Sequence, residues 1–396
     1  MSRRDVFDVA VVGAGMVGAA AALGLAKRGV RVALVEAQEP AQWRSEDDVG
    51  LRVSALSRAS RDLLAQVGVW DAIAAARVAP FRRMCVWEEE GEIAFDAASE
   101  GLAELGHIVE NALVADRLWA ALKRESALEM HCPAQVAALS QESSHATLAF
   151  ATGGSVRARV VVAADGASSP LRDMAGIDVD GRDYGQMGLV LHVQPERPHQ
   201  DTAWQRFGPG GPLALLPLSD GRCSIVWTRP AAEARRLLDV ADDELSERLT
   251  EASDARLGRL RVASPRAAFP LRLGLARTYQ AGRLVLAGDA AHVVHPLAGQ
   301  GVNLGFLDVA ALMDVIGRAR DAGRDIGAVD VLRRYARWRR SENAIAARSF
   351  DAIERLFGHE HPAVAALRRQ GLAVADRIAP LKRFFMHRAG DGRWTS

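Results

Sequence analysis

Three glycines near the N-terminus have the spacing that binds a dinucleotide pyrophosphate. Gly13, Gly15 and Gly18 form G-x-G-x-x-G directly after a short apolar run. The first glycine permits a tight turn, the second lets the backbone approach a pyrophosphate, and the third allows a helix to pack closely on a strand. Glu36 follows about 20 residues later, where a carboxylate can accept hydrogen bonds from a ribose diol. The pattern predicts a dinucleotide site, and alone it does not separate FAD from NAD.

The elements around these glycines form a βαβ unit. Residues 7–12 and 30–35 predict strands buried on both faces, and residues 19–28 predict a helix that Gly29 closes. Periodicity predicts helices over 56–67, 113–124, 233–257, 302–316 and 331–357, antiparallel strands within 84–95 and 203–229, and buried strands over 159–164 and 283–287. Residues 194–201, with two prolines, predict a loop.

Composition restricts the classes of partner. Lys and Arg total 50 against 49 Asp and Glu, so the net charge of +1 favours no nucleic-acid partner. Cys85, Cys132 and Cys223 lie far apart, which predicts neither a metal site nor a disulfide framework, and we expect buried thiols in a reducing compartment. No apolar run reaches membrane-spanning length and the N-terminus has no signal-peptide pattern. We therefore expect a cytoplasmic protein, one that can be peripheral to the inner membrane.

Two later segments carry a family resemblance. Residues 160–172 read VVVAADGASSPLR and residues 284–305 read LVLAGDAAHVVHPLAGQGVNLG. They resemble the D-G-x-x-S-x-x-R and G-D-A-x-H-x-x-x-P motifs of the single-component FAD-dependent aromatic monooxygenases, the group typified by para-hydroxybenzoate hydroxylase. In that family both motifs follow an N-terminal glycine fingerprint, in this order. The resemblance covers nearly the whole chain and implies FAD as the cofactor, with NAD(P)H as a transient co-substrate.

The resemblance also implies roles for individual residues. Asp289 follows a buried strand, so its carboxylate can accept hydrogen bonds from ribityl hydroxyls, and the helix beginning near Val302 directs its positive end at the flavin. The family positions give Pro296, Gly299 and Gln300 at the flavin face, and Arg52, Asn111, Asp165, Gly301, Val302 and Asn303 as further cofactor contacts. In that family, arginine is commoner than asparagine at the position of Asn111.

Three nearby side chains have more than one interpretation. His292 and His295 either pack and hydrogen-bond beside the cofactor, which we favour, or take part in catalysis. Arg172 either holds the turn of its motif, which we favour, or lies near the nicotinamide. No second G-x-G-x-x-G and no redox-active cysteine pair occur, which argues against a disulfide or ferredoxin-type reductase.

Segments throughout the chain are more closely similar to the ubiquinone-biosynthesis hydroxylases, which act on polyprenylated phenols. They include LRVSALSRAS (51–60), WQRFGPGGPLALLPLSDGRCSIVW (204–227) and GQGVNLGFLD (299–308), and the fit departs at His107, where Tyr or Phe is common. Four apolar residues of the second segment either line a slot for an isoprenoid tail or form ordinary sheet core: Leu213, Leu215, Leu216 and Pro217. Residues 363–388 predict a basic amphipathic helix, suited to a membrane surface, to a complex of biosynthetic enzymes or to packing on its own domain.

The predicted fold class is α/β: a Rossmann-like FAD-binding domain of the glutathione-reductase type, an inserted mixed β-sheet substrate domain and C-terminal helices. We predict the FAD-binding domain over 1–78, 106–180 and 276–345, the substrate sheet over 79–105 and 181–275, and a helical region over 346–396. The resemblance implies that NAD(P)H reduces FAD, that O2 adds at flavin C4a, and that the resulting hydroperoxide hydroxylates a phenol ring. The alternatives are a flavin dehydrogenase or reductase, a hydroxylase of another aromatic compound, and a non-catalytic FAD-bound subunit of a complex.

Overall fold

The computed structural model describes residues 6–88, 91–208, 210–294 and 301–358. Its strands are β1 Phe7–Val12, β2 Val32–Val35, β3 Val53–Ser57, β4 Val78–Phe81, β5 Arg83–Glu88, β6 Gly91–Asp96, β7 Gly106–Glu110, β8 Leu128–His131, β9 Val136–Gln141, β10 Ala146–Phe150, β11 Ser155–Ala163, β12 Val179–Pro195, β13 Thr202–Gly208, β14 Gly211–Pro217, β15 Cys223–Pro230, β16 Leu260–Val262, β17 Ala267–Ala276, β18 Gln280–Ala281, β19 Leu284–Leu286 and β20 His292–Val293. Its helices are α1 Met16–Ala26, α2 Arg58–Gln66, α3 Trp70–Ala74, α4 Asn111–Leu122, α5 Pro170–Met174, α6 Ala231–Asp239, α7 Asp242–Ala252, α8 Gly301–Asp321 and α9 Val329–Gly358.

The first sheet has a parallel centre in the order β8-β2-β1-β11-β19. Val9 and Val11 pack into the core beneath α1 and α8, whereas Ala10 and Val12 enter a second cluster on the opposite face. Burial on both faces explains why β1 is an unbroken apolar run rather than an alternating one. The antiparallel strands β9 and β10 continue the sheet from β11.

The second sheet runs β20-β17-β12-β15-β14-β13-β5-β6, with β16 beside β12. One face, including Leu189 and Ile225, packs against α6 and α7 through Leu237 and Leu245. Side chains alternate along a strand, so neighbouring residues such as Val190 and Val226 face the other way. A third, small sheet joins β3, β7 and β4.

The fold class is confirmed, and several element bounds are corrected. Residues 56–57 belong to β3 because their backbone pairs with β7, so the helix predicted over 56–67 begins at Arg58. The helix predicted over 233–257 is two helices, because Val240 and Ala241 adopt extended backbone between α6 and α7. Residues 194–195 continue β12 and pair with β16, which shortens the predicted loop. No described helix is long and apolar enough to cross a membrane.

Candidate active site

A cavity of about 430 Å³ opens between the first and second sheets. Its floor comes from the glycine turn and the starts of α1 and α8, with Gly15, Met16, Gly301 and Val302. Its roof comes from β12, β15 and β17: Gly188, Val190, Ser224, Val226, Phe269, Pro270, Leu271 and Arg272. The topology thus brings the predicted dinucleotide turn against the uncovered face of the second sheet.

The three fingerprint glycines have three different surroundings. A Cβ on Gly13 would lie 2.3 Å from the carbonyl oxygen of Ala164, and Gly13 has φ +96°. A Cβ on Gly18 would lie 2.0 Å from the carbonyl oxygen of Gly13. A Cβ on Gly15 meets no atom within 4 Å, because that residue faces the cavity. Gly13 and Gly18 are therefore required by the turn, whereas Gly15 leaves space beside the helix N-terminus.

Glu36 holds the glycine turn from the end of β2. Its carboxylate accepts hydrogen bonds from the backbone N–H of Ala14 and, at 3.0 Å, of Gln38. The residue is half-buried and does not line the cavity. The structure therefore places Glu36 on the backbone of the turn, and a ribose contact there stays a prediction.

Three predicted cofactor residues line the cavity with polar groups. Asp289 is exposed, and no described donor bonds to its carboxylate. Arg52 is exposed, with its guanidinium carbon 5.4 Å from the ring centroid of Phe269. Asn111 begins α4 and accepts a hydrogen bond of 2.7 Å from the Ser54 hydroxyl. These side chains surround the space in front of the glycine turn.

Two other predicted residues use their side chains within the protein. Asp165 accepts from the Ser169 hydroxyl and from the backbone N–H of Leu171, which fastens the start of α5, and burial raises the pKa of its carboxyl. Asn303 accepts from Ser57 N–H at 3.0 Å and donates to Ala55 carbonyl at 2.8 Å, which ties α8 to β3. Their cofactor roles stay predictions, since neither side chain lines the cavity.

The structural interpretation of Arg172 agrees with its contacts. Its Nη1 donates to the carbonyls of Ala167 at 3.0 Å and Ala290 at 3.2 Å, so it links the turn after β11 to the turn after β19. The predicted flavin-face residues Pro296, Gly299 and Gln300, together with His295, lie outside the described residues.

Beneath the turn that carries Asp289 lies a buried polar network that the sequence analysis missed. Asp308 of α8 accepts from His292 Nε2 at 2.6 Å and from Gly288 N–H at 3.0 Å. Its other oxygen accepts from Arg339 Nε at 2.7 Å and Asn343 Nδ2 at 3.0 Å, both on α9. His292 therefore has the packing and hydrogen-bonding role that we favoured.

The electrostatics of this network favour an ionised carboxylate. Burial of Asp308 opposes its ionisation, yet the neighbouring His292 and Arg339 outweigh burial and lower the pKa of Asp308 to about 2. Both partners are almost fully buried, so the carboxylate has little contact with solvent. One side chain thus joins the Gly288–Asp289 turn, β20 and α9.

The roof of the cavity contains polar atoms without partners. Ser224 is fully buried, and its hydroxyl has no hydrogen-bond partner among the described residues. Its register partner across the sheet is His192, whose Nε2 lies 3.2 Å from the carbonyl oxygens of Val49 and Gly50. The Nδ1 atom of His192 is buried without a described partner, and burial lowers the pKa of this side chain. Buried polar atoms without a hydrogen-bond partner are uncommon in folded proteins, and they indicate a site for a polar ligand or water.

The other structural expectations have mixed outcomes. Leu213 and Leu215 pack with α6 and α7, and Leu216 packs under the third sheet, so these leucines are sheet core and not a tail slot.

Burial raises the pKa of Cys85 and of Cys223 to about 12, as expected for inert thiols, whereas Cys132 is only half-buried. No group of metal-ligating side chains forms among the described residues.

The cavity floor fits a dinucleotide. There is open space at Gly15, and the N-terminus of α1 offers backbone N–H donors that no side chain caps. The exposed carboxylate of Asp289 adds an acceptor on the same surface. The start of α8 at Gly301 reaches the same cavity and adds a second helix N-terminus. An anionic pyrophosphate and a polyhydroxylated chain match these groups.

The chain belongs to the FAD binding domain family, which matches residues 6–341. FAD is therefore its cofactor, held by the fold that the glycine fingerprint predicted. Among its relatives, the 3-demethoxyubiquinol 3-hydroxylase of Escherichia coli K12 is 40% identical over 377 residues, covering 95% of this chain and 96% of that protein. The ubiquinone hydroxylase UbiL of Rhodospirillum rubrum is 36% identical over 389 residues, covering 98% and 90%.

The fold also matches solved structures. The p-nitrophenol 4-monooxygenase PnpA of Pseudomonas putida DLL-E4 superposes with a TM-score of 0.76 at 20% identity, covering 97% of this chain and 98% of that one. At this identity the likeness shows the shared fold. The likeness extends over nearly the full length of both chains, so it includes both large sheets.

Proposed function

We propose that this chain is an FAD-dependent monooxygenase that hydroxylates the aromatic ring of a polyprenylated phenol or benzoquinol in ubiquinone biosynthesis, using NAD(P)H and O2. The observation that carries the proposal is one cavity whose floor fits the dinucleotide and whose roof is largely apolar. The relatives named for ubiquinone hydroxylation align over almost the full chain, which supports this substrate class.

Bound FAD supplies the redox chemistry, with electrons from NAD(P)H and oxygen from O2. The protein supplies position and environment. Asp289 would accept hydrogen bonds from hydroxyl groups of the cofactor, and the N-terminus of α8 would stabilise negative charge that develops on it. Val190, Val226 and Leu271 on the roof exclude water from the reacting centre.

The hydroxyl of Ser224, which has no hydrogen-bond partner in the described part of the chain, suits the ring oxygen of a phenol. A phenol bound under the roof gains a hydrogen bond there, and the protein gains a partner for a buried hydroxyl. The apolar neighbours Val226 and Leu271 accommodate the ring itself.

The proposed domain organisation keeps the predicted bounds: 1–78, 106–180 and 276–345 for the FAD-binding domain, and 79–105 and 181–275 for the substrate sheet. We also propose a cytoplasmic enzyme that works at the inner membrane or within a complex of biosynthetic enzymes. The C-terminal helix predicted for that contact, residues 363–388, lies outside the described residues.

The test is oxygen incorporation by the purified holoprotein. We expect a phenol with a short prenyl tail to stimulate NAD(P)H oxidation, and 18O2 to place one labelled oxygen on the ring, detected by mass. Product without label would identify a dehydrogenase or reductase. Absence of phenol-stimulated oxidation, with FAD bound, would identify a non-catalytic subunit, and deletion of the gene with an unchanged ubiquinone pool would point to another aromatic substrate.

A further inference from the structure

Helix α9 exposes a band of arginines along one side. At about 3.6 residues per turn, five of them fall within an arc of roughly 120° along the helix, and all five are exposed. We call this set the arginine face: Arg333, Arg334, Arg337, Arg340 and Arg348. Trp338, with 43% of its surface exposed, lies at one border of the arc. The opposite side of α9 is buried, with Tyr335, Arg339 and Asn343 in the core.

The arginine face is not neutralised by described residues. None of its five guanidinium groups forms an ion pair with a described side chain. Two acids, Asp330 and Asp351, share the same arc, and each is paired elsewhere. Asp330 binds Arg324, and Asp351 binds Arg182 at 2.8 Å. The positive charge of the band is therefore available to an outside partner.

Two exposed arginines on other helices have acidic partners. Arg248 pairs with Glu244 at 2.7 Å and Arg318 pairs with Asp314 at 2.9 Å, each one helical turn away. The chain as a whole has a net charge of only +1. Five cations without an ion pair among the described residues, on a nearly neutral protein, give the molecule a positive side rather than a general attraction for polyanions.

We propose that the arginine face docks the protein on an anionic phospholipid bilayer. Arginine binds phosphate through a planar fork of N–H donors. The band extends over roughly 22 Å, at about 1.5 Å per residue, so several headgroups can be contacted at once. Tryptophan is favoured at headgroup level, which fits Trp338 at the border. The biological meaning rests on the proposed function, because a polyprenylated phenol resides in a bilayer.

The experiment is co-sedimentation of the full-length holoprotein with vesicles, without substrate. One set contains phosphatidylcholine alone, and the other contains phosphatidylcholine with phosphatidylglycerol. We expect binding to the anionic vesicles only, weakened by salt. The triple variant Arg333→Gln, Arg337→Gln and Arg340→Gln should lose about fivefold in binding per arginine, or roughly a hundredfold in all.

A charge-matched control removes three exposed arginines from elsewhere: Arg248→Gln, Arg277→Gln and Arg318→Gln. The control should bind anionic vesicles like the unmodified protein. If both triple variants lost vesicle binding equally, net charge alone would explain the binding, and the proposal would be overturned. Failure of the unmodified protein to bind anionic vesicles would also overturn it, and would leave an acidic protein or residues 359–396 as the partner of this face.

Failure here is separable from failure of the proposed function. Oxidation of NAD(P)H with a short-tailed, water-soluble phenol requires no vesicles, so the arginine-face variant should retain FAD and this activity. A variant that loses vesicle binding but keeps the soluble reaction supports the docking surface. A variant that loses both would show that these arginines are needed for the fold and would overturn the assignment.

Discussion

Substitution of Gly15 separates cofactor binding from folding at a single position. Its backbone has φ −61° and ψ 175°, which any residue adopts, and a Cβ there meets no protein atom within 4 Å. Gly15→Ala should therefore change the stability of the apoprotein by less than about 1 kcal/mol, because a gain of about 0.4–1 kcal/mol through the unfolded chain opposes the poorer N-cap propensity of alanine. The added methyl group enters the space proposed for the pyrophosphate.

The expected loss in affinity follows from overpacking. A methyl group forced into an occupied contact costs about 1–3 kcal/mol, which corresponds to roughly 5- to 150-fold in the dissociation constant for FAD. Gly15→Val should abolish FAD binding because two further methyl groups project into the same space. The measurements are titration of apoprotein with FAD by flavin fluorescence and thermal unfolding of the apoprotein.

Gly18→Ala is the matched control. Its Cβ would lie 2.0 Å from the carbonyl oxygen of Gly13, so that variant should lose both stability and FAD. Native FAD affinity in Gly15→Ala would refute the placement of the pyrophosphate. An apoprotein destabilised as strongly as Gly18→Ala would refute the claim that the space at Gly15 is open.

Three further substitutions test other parts of the site. Asp289→Ala should weaken FAD binding about 10- to 150-fold at unchanged apoprotein stability, because an exposed acceptor is lost, and fully retained FAD would contradict its role. Asp308→Asn should destabilise the protein by about 3–5 kcal/mol, since Arg339 and His292 lose a buried partner. Folding lowers the pKa of Asp308 from 3.8 to about 2, so its ionised carboxylate stabilises the folded state above pH 3.8, and this stabilisation is lost as the pH falls through about 2. The free energy of unfolding of Asp308→Asn should therefore depend less on pH in this acidic range. An unchanged pH profile would exclude this linkage. Ser224→Ala should raise the KM for a phenol and leave FAD affinity unchanged, and an unaltered KM would remove Ser224 from the substrate site.

The glycine fingerprint was predictable because its spacing is a local pattern. The close approach at Gly18 is to Gly13, five residues away, whereas the atom that restricts Gly13 belongs to Ala164, at the end of the parallel neighbour β11. Buried parallel strands also leave a sequence signal, because both faces must be apolar. The first strand and helix were therefore found together with the glycines that we predict to hold the pyrophosphate.

The roof of the cavity was less predictable because strand alternation does not say what covers each face. Leu213 and Leu215 have the composition of a lipid slot, yet α6 and α7, which are distant in sequence, cover them. Ser224 lies on the opposite face of the same sheet, and only the register of β12 with β15 brings it beside His192. Long-range pairing decides which apolar residues form core and which form the site.

Asp308 could have been suspected from its position, because it is a carboxylate between apolar residues of α8 and is flanked by Leu307 and Val309. An acid in an apolar helix requires a buried partner, since an unpaired charge there is costly. The sequence does not say that the partner is Arg339, thirty-one residues later on α9. Once that pair is known, the position of Asp289 has a physical cause. The carboxylate that pairs with Arg339 also accepts from the Gly288 N–H, and so fixes the turn from which Asp289 faces the cavity.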